Sequence, residues 1–177
     1  MSAAEVITPL IRRSEGAVHT ISLYVHDRPG VLVRVALVFA RRGYNIESLV
    51  VSPSASGGFS RMTITCSGDP TTLDQIITQL YKLVDVVRAV DHTGDAAYET
   101  EIALIKLIVQ DDNRTQVLQI AEHFCAKVVD YAAESVVLRV YGSSEKLDAL
   151  IHLLRPFEIE ELVRSGKILM ARSGLLT

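Results

Sequence analysis

The sequence predicts an α+β fold made of two tandem ferredoxin-like βαββαβ units. Three observations carry this. Short runs alternate apolar and polar residues with period two, the runs between them repeat apolar residues with helical period, and the order of these runs is the same in both halves. Residues 1–17 hold only short apolar pairs (Val6-Ile7, Leu10-Ile11) without a sustained period and read as an N-terminal arm. Ile21, Leu23 and Val25 then alternate with Thr20, Ser22 and Tyr24 in a half-buried strand. After Asp27-Arg28-Pro29-Gly30, residues Leu32, Val35, Ala36 and Phe39 fall at i, i+3, i+4 and i+7, one face of a helix. Gly43 stands where a left-handed helix end needs no β-carbon, and Arg41 and Arg42 suit the negative helix end. Ile46, Leu49, Val50 and Val51 form a strand closing at Pro53, and Ser54–Gly58 form a loop too rich in small residues to pack. Met62, Ile64 and Cys66 make the return strand of a hairpin. Asp69 caps and Pro70 opens a helix with Leu73, Ile76, Ile77 and Leu80 on one face. Val84 to Val90 supplies the last strand before His92-Thr93-Gly94-Asp95 breaks the pattern.

The second half follows the same grammar without evident sequence identity. Ile102 to Val109 is a strand apolar on nearly both faces, so both sides should be covered. Asp111-Asp112-Asn113 precedes a helix with Val117, Ile120, Ala121 and Phe124 on one face. Lys127–Tyr131 and Val136–Tyr141 are strands. Ser143-Ser144 caps a helix bearing Leu147, Leu150, Ile151 and Leu154, which Pro156 ends. Glu158–Val163 and Lys167–Ala171 read as a closing hairpin around Ser165-Gly166. Polar and small residues between Gly94 and Thr100 place the boundary, giving an arm over 1–17, one domain over 18–95 and a second over 96–177. Small sheets with open edges invite pairing between chains, so a dimer is expected.

Composition removes several function classes. Among 177 residues, 49% are apolar and none is Trp, which supports a packed core rather than disorder. A formal net charge of −3, with no long basic run or aromatic platform, speaks against a nucleic-acid partner. No stretch approaches the roughly 20 apolar residues of a membrane span, and the start has no secretory signal pattern, so a cytoplasmic location is expected. Cys66 and Cys125 match no metal or redox spacing and read as reduced core residues. The five histidines are scattered singly, without zinc-like pairs, and read as surface or edge residues. Asp111-Asp112 lacks the glycine and later glutamate of a calcium loop, and Gly57-Gly58 opens no helix that could hold a phosphate. No catalytic constellation and no metal site is expected.

The strand–turn–helix from Val25 to Ile46 is the chemically distinctive stretch. A helix start with free N–H groups attracts a carboxylate, and Gly30 lets another molecule approach the backbone closely. Asp27 can accept hydrogen bonds from an ammonium, so both halves of a free α-amino acid are provided for. Asp-x-Pro-Gly is also ordinary turn chemistry, in which Asp27 simply caps the helix. Local physics leaves both readings open.

Longer motifs carry a resemblance. Asp27-Arg28-Pro29-Gly30-Val31-Leu32 followed by Arg41-Arg42-Gly43-Tyr44-Asn45-Ile46-Glu47-Ser48-Leu49 resembles the start of an ACT domain, specifically that of the small regulatory subunits of acetohydroxyacid (acetolactate) synthase. Ser60-Arg61-Met62-Thr63-Ile64, Gln79 to Val86, Glu101 to Lys106, Gly142-x-x-x-Lys146-Leu147-Asp148-Ala149 and Arg164-Ser165-Gly166 extend the resemblance over about residues 18–173. Some family members carry an amide where Asp27 stands. The resemblance implies a subunit that performs no chemistry and binds no cofactor. It would dock on a catalytic large subunit, which carries thiamine diphosphate, Mg²⁺ and FAD, and raise that subunit's activity. Valine or a related amino acid would bind between two ACT domains of a homodimer and lower the activity. Carried over by motif, the effector site is Asp27, Gly30, Val31 and Leu32 of one chain with Asn45 and Ile46 of its neighbour. The N–H groups of Gly30, Val31 and Leu32 would hold the carboxylate, and Asp27 and Asn45 would address the ammonium. An ACT-type amino-acid sensor serving another enzyme or a transcription factor is the alternative.

Overall fold

The computed structural model describes residues 18–95 and 97–172, and the N-terminal arm lies outside the described residues. The described chain clusters into two compact units, residues 18–99 with 166–172 and residues 100–165.

The first unit runs β1 (Val18–His26), α1 (Val31–Arg41), β2 (Asn45–Pro53), β3 (Phe59–Ser67), α2 (Pro70–Leu80) and β4 (Val86–Asp91). Its strands pair antiparallel in the order β2-β3-β1-β4, as a split βαββαβ unit requires. The register sets Ile21 opposite Ile64 and Leu23 opposite Met62, which puts the apolar half of each alternation on one face. Val31, Val35 and Phe39 of α1 and Leu73, Ile76 and Leu80 of α2 bury against that face and complete the core. Periodicity placed Leu32 on this face, but Val31 is 3% exposed and Leu32 42%. The helix begins directly after Gly30, so Val31, at i−4 from Val35, takes the first core position. The last strand also starts later than its apolar run, at Val86. Consecutive tight turns from Gln79 to Val86 carry Val84 into solvent, where it is 90% exposed.

The second unit contains most of β5 (Tyr98–Ile108), then α3 (Arg114–His123), β6 (Lys127–Tyr131), β7 (Ser135–Gly142), α4 (Ser144–Leu154) and β8 (Glu158–Arg164). Its order, β6-β7-β5-β8, repeats that of the first unit. The Ser143 hydroxyl caps α4 by accepting from the Lys146 N–H at 3.3 Å. Buried Glu101 accepts from the Arg164 Nε at 3.1 Å and from the Ser144 hydroxyl, while Arg164 Nη1 reaches Asp148 at 2.5 Å. Burial pushes the Arg164 pKa down, but hydrogen bonds to Glu101 and Asp148 more than offset this and leave it raised and charged.

Two expectations for this half change. β8 and β9 (Ile168–Met170) do not form a hairpin with each other, since each pairs with β5. The Ser165 N–H donates to the Ile102 carbonyl at 3.0 Å and its Oγ accepts from the Ile102 N–H at 3.1 Å, so the chain leaving β8 follows β5. Nor are both faces of β5 covered. Ala103, Ile105, Leu107 and Val109 are buried under the helices, while Ile102 and Leu104 are 39% and 43% exposed on the other side.

The cysteines part company. Cys66 lies in the first core, and its burial, aided by the Glu47 and Asp91 carboxylates, pushes its thiol pKa up to about 12. Cys125 is exposed rather than in the core, because α3 ends in a Schellman motif. The Ala126 N–H donates to the Ala121 carbonyl at 2.8 Å and the Cys125 N–H to the Glu122 carbonyl at 2.9 Å, holding Cys125 at φ +54. The same two bonds end α1, with Gly43 in the left-handed position at φ +71. The histidines also split. His19 and His92 are buried, each in a hydrogen-bond network, whereas the sequence placed them at the surface or an edge. Alkylation of the native protein at pH 8 should therefore modify Cys125 readily and Cys66 only after denaturation, as read by mass spectrometry of peptides; equal rates for both would contradict this core.

Candidate functional site

The Asp27–Gly30 turn is fixed at three points. The His26 N–H donates to the Asp85 carbonyl at 2.8 Å, the Asp27 N–H to the Gly58 carbonyl at 2.9 Å, and the Arg34 N–H to the Gly30 carbonyl at 3.1 Å. Gly30 is the residue that precedes the helix, with φ +83, and no side chain caps α1. A residue with a β-carbon is strained at that φ. Asp27 therefore does not act as the helix cap. It is exposed, as are Arg28, Pro29 and Gly30. The Val31 N–H turns back to the Arg28 carbonyl at 3.3 Å, while those of Leu32 and Val33 have no acceptor among the described residues. A bare helix start beside an exposed carboxylate is the result, and it offers donors to an anion and acceptors to an ammonium.

The structure does not bring all the predicted site residues together within one chain. Asp27, Gly30 and Leu32 are exposed at the start of α1, and Val31 joins them through its backbone while its side chain fills the core. Asn45, exposed, and Ile46, half-buried, begin β2 beyond the other end of the same helix. The 11 residues of α1 span about 16 Å at 1.5 Å per residue. Asn45 is held firmly. After Gly43, Tyr44 is 9% exposed and its hydroxyl donates to the Asp69 carbonyl, so β2 starts from a fixed point opposite Ser67. The edge strand β2 has a bulge between Ile46 and Ser48. Leu32, Val33 and Leu37 are 42%, 61% and 45% exposed on α1, and Val51 on β2 is 44% exposed.

Among the described residues, the polar cluster of Ser22, His92 and Asp95 does not make a reaction centre. The His92 Nδ1–H faces the Asp95 carboxylate at 3.2 Å, which leaves Nε2 to accept from the Ser22 hydroxyl at 2.8 Å. That order resembles a nucleophilic relay. Yet Ser22 is 5% exposed in the middle of a strand paired on both edges, so its surrounding N–H groups are committed to the sheet and none is free to stabilise an oxyanion. A cavity of about 150 Å³ lies in the same unit, lined by Ser22, Arg61, Thr63 and Ile168 among others, and none of the predicted site residues lines it. Among the described residues no group of three or more His, Cys, Asp or Glu side chains could hold a metal ion. No helix among them is long and apolar enough to cross a membrane.

Comparisons with known proteins bear on the family of the chain. A family model described as the small subunit of acetolactate synthase matches residues 100–173, and one described as the AHAS small subunit-like ACT domain matches residues 21–88. The acetolactate synthase small subunit of Mycobacterium leprae is 42% identical over 154 residues, 87% of this chain and 91% of that protein. That of Aquifex aeolicus is 40% identical over 97% of this chain and 91% of its own length. The crystal structure of the acetolactate synthase small subunit from Thermotoga maritima aligns with a TM-score of 0.80 at 37% identity, covering 90% of this chain and 99% of that one.

One residue remote from the turn tests how Asn45 is held. A β-carbon on Gly68 would overlap the Tyr44 ring. Gly68→Ala should lower stability by about 1–3 kcal/mol, as overpacking does, and shift the Asn45 amide resonance; an unchanged melting temperature would show that Tyr44 is not the fixed point.

Proposed function

The chain belongs to the family of acetolactate synthase small subunits, and we propose that it is the non-catalytic regulatory subunit that passes amino-acid feedback to a catalytic large subunit. The observation that carries this reading is the uncapped start of α1 at Gly30, exposed beside Asp27 on an ACT-type domain. Valine or a related branched-chain amino acid is the effector. Its carboxylate takes the first-turn N–H groups, Asp27 and Asn45 meet its ammonium, and Leu32 and Ile46 contact its aliphatic end. Thiamine diphosphate, Mg²⁺ and FAD belong on the large subunit. Neither nucleic acid nor membrane is a partner, and the complex works in the cytoplasm.

The effector site requires two chains. One amino acid cannot span the length of α1, so Gly30 and Asn45 of one chain belong to different pockets. An antiparallel copy set edge to edge along β2 brings the Gly30 turn of one chain to the Asn45 of the other, and a two-fold axis repeats the pocket. β2 is an edge strand, and α1 packs on it with Leu32 and Leu37 exposed, which supports this face as the apolar seam. A ligand that binds only the paired form must tighten the pairing, and the coupling is reciprocal.

Reconstitution with the cognate large subunit tests the reading. The chain alone should turn over no pyruvate, should raise large-subunit activity, and should make that activity sensitive to valine. Gly30→Asp puts a carboxylate where the effector's must go, so it should abolish inhibition and leave stimulation largely intact. Inhibition at an unchanged valine concentration would place the pocket elsewhere.

A further inference from the structure

The Gly30 turn has a cation poised over it that none of the predicted site residues supplies. Arg34 lies one helical turn beyond Gly30, on the same side of α1. Its Nη1 stands 3.4 Å from the place a β-carbon on Gly30 would occupy, so the guanidinium lies across the open space that the glycine leaves. Its Nη2 donates to Asp85 Oδ2 at 2.5 Å. Nη1 has no acceptor among the described residues. The Arg34 side chain is 46% exposed and that of Asp85 only 12%. One prong of the guanidinium fork is thus fixed by a nearly buried carboxylate, and the other is turned toward solvent above the turn.

We propose that Arg34 binds the effector carboxylate with this second prong, held in place by Asp85. The inference rests on the proposed effector site at the Gly30 turn and adds the residue that selects for negative charge there. First-turn N–H groups carry partial charges and accept neutral oxygens as well, whereas a guanidinium discriminates strongly for a carboxylate. A planar fork can serve two carboxylates at once from fixed directions; a lysine ammonium at the end of a flexible chain is not pre-organised to do so. Asp85 also ties the site to the rest of the unit. Its carbonyl accepts from the His26 N–H at the start of the turn, so one residue positions both the turn and the guanidinium. Asp85 is a positioning residue, and Arg34 is the binding one.

The test measures valine, and its carboxamide valinamide, binding to the full chain by calorimetry, for the wild type and for Arg34→Lys, Arg34→Gln, Asp85→Asn and Gly30→Asp. Wild-type protein should prefer valine strongly over valinamide. Arg34→Gln should weaken valine about 10- to 100-fold, the loss of one charge-assisted hydrogen bond, and shrink that preference. Arg34→Lys keeps the charge and should recover only part of the affinity. Asp85→Asn keeps an acceptor but loosens the guanidinium, and should weaken valine less than Arg34→Gln does. Unchanged valine affinity and an unchanged preference in folded Arg34→Gln would overturn the inference while Gly30→Asp still abolished binding. Binding that survived Gly30→Asp, or no binding by the wild type, would overturn the effector-site reading and this inference with it. Should Arg34→Gln fail to fold, the Arg34→Gln/Asp85→Asn pair removes the buried unpaired charge and reads the same affinity.

Discussion

The length of α1 is the constraint on which the proposed site depends. Val31, Val35 and Phe39 pin three successive turns of the helix to the sheet, so the helix can neither slide nor rotate without opening the core. Its start leaves donors unmet because Gly30 brings no side chain to cap them, and its end is closed by Gly43 in a Schellman motif. Between these two glycines the chain must travel the full helix. The two halves of the proposed site, at Gly30 and at Asn45, are therefore held apart within each chain, and the proposal needs a second copy to reunite them. In the proposed reading, this rigid helix makes effector binding depend on assembly.

That arrangement suits regulation. A ligand divided between chains changes their association directly by its own binding free energy. The anchoring of the turn matters for the same reason. Asp27 is tied to the β2–β3 hairpin through Gly58, and His26 to the segment before β4 through Asp85. The second unit repeats the topology but not the turn: α3 starts after Asn113, whose side chain accepts from the Gln110 N–H, and no glycine opens its first turn. Its Ile102 and Leu104 and the strand β6 are exposed, and it carries no matching turn.

Much of this was legible in the residues, and the misses have physical causes. Alternation and helical period located the strands and helices of both units, and the faces of α2, α3 and α4 came out as periodicity implied. Leu32 and Val31 exchanged roles because a helix face depends on where the first turn begins, which a left-handed glycine settles. Cys125 sits in a chain reversal at which local sequence favours glycine, and nothing in its apolar surroundings announced that. His19 and His92 are buried because partners far along the chain, Gly68 and Ser22, accept or supply their hydrogen bonds. The three residues of β9 pair with a strand about seventy positions earlier, and the Arg34–Asp85 bridge joins residues 51 apart. Such contacts belong to the tertiary fold. The Asp27–Gly30 turn was chemically legible but ambiguous, and the longer motif around Asn45 pointed to its family rather than to any local physics.

The claim that one effector pocket is built from two chains is tested most directly by mixing. Gly30→Asp damages one half of the pocket and Asn45→Ala the other. Each variant alone should bind no valine. After subunit exchange, both lesions of a mixed dimer fall in one pocket and the other is intact, so calorimetry of an equimolar mixture should recover about a quarter of the wild-type sites at wild-type affinity. A mixture with demonstrated exchange that stays silent, or valine bound at full affinity by a sedimenting monomer, would contradict the account.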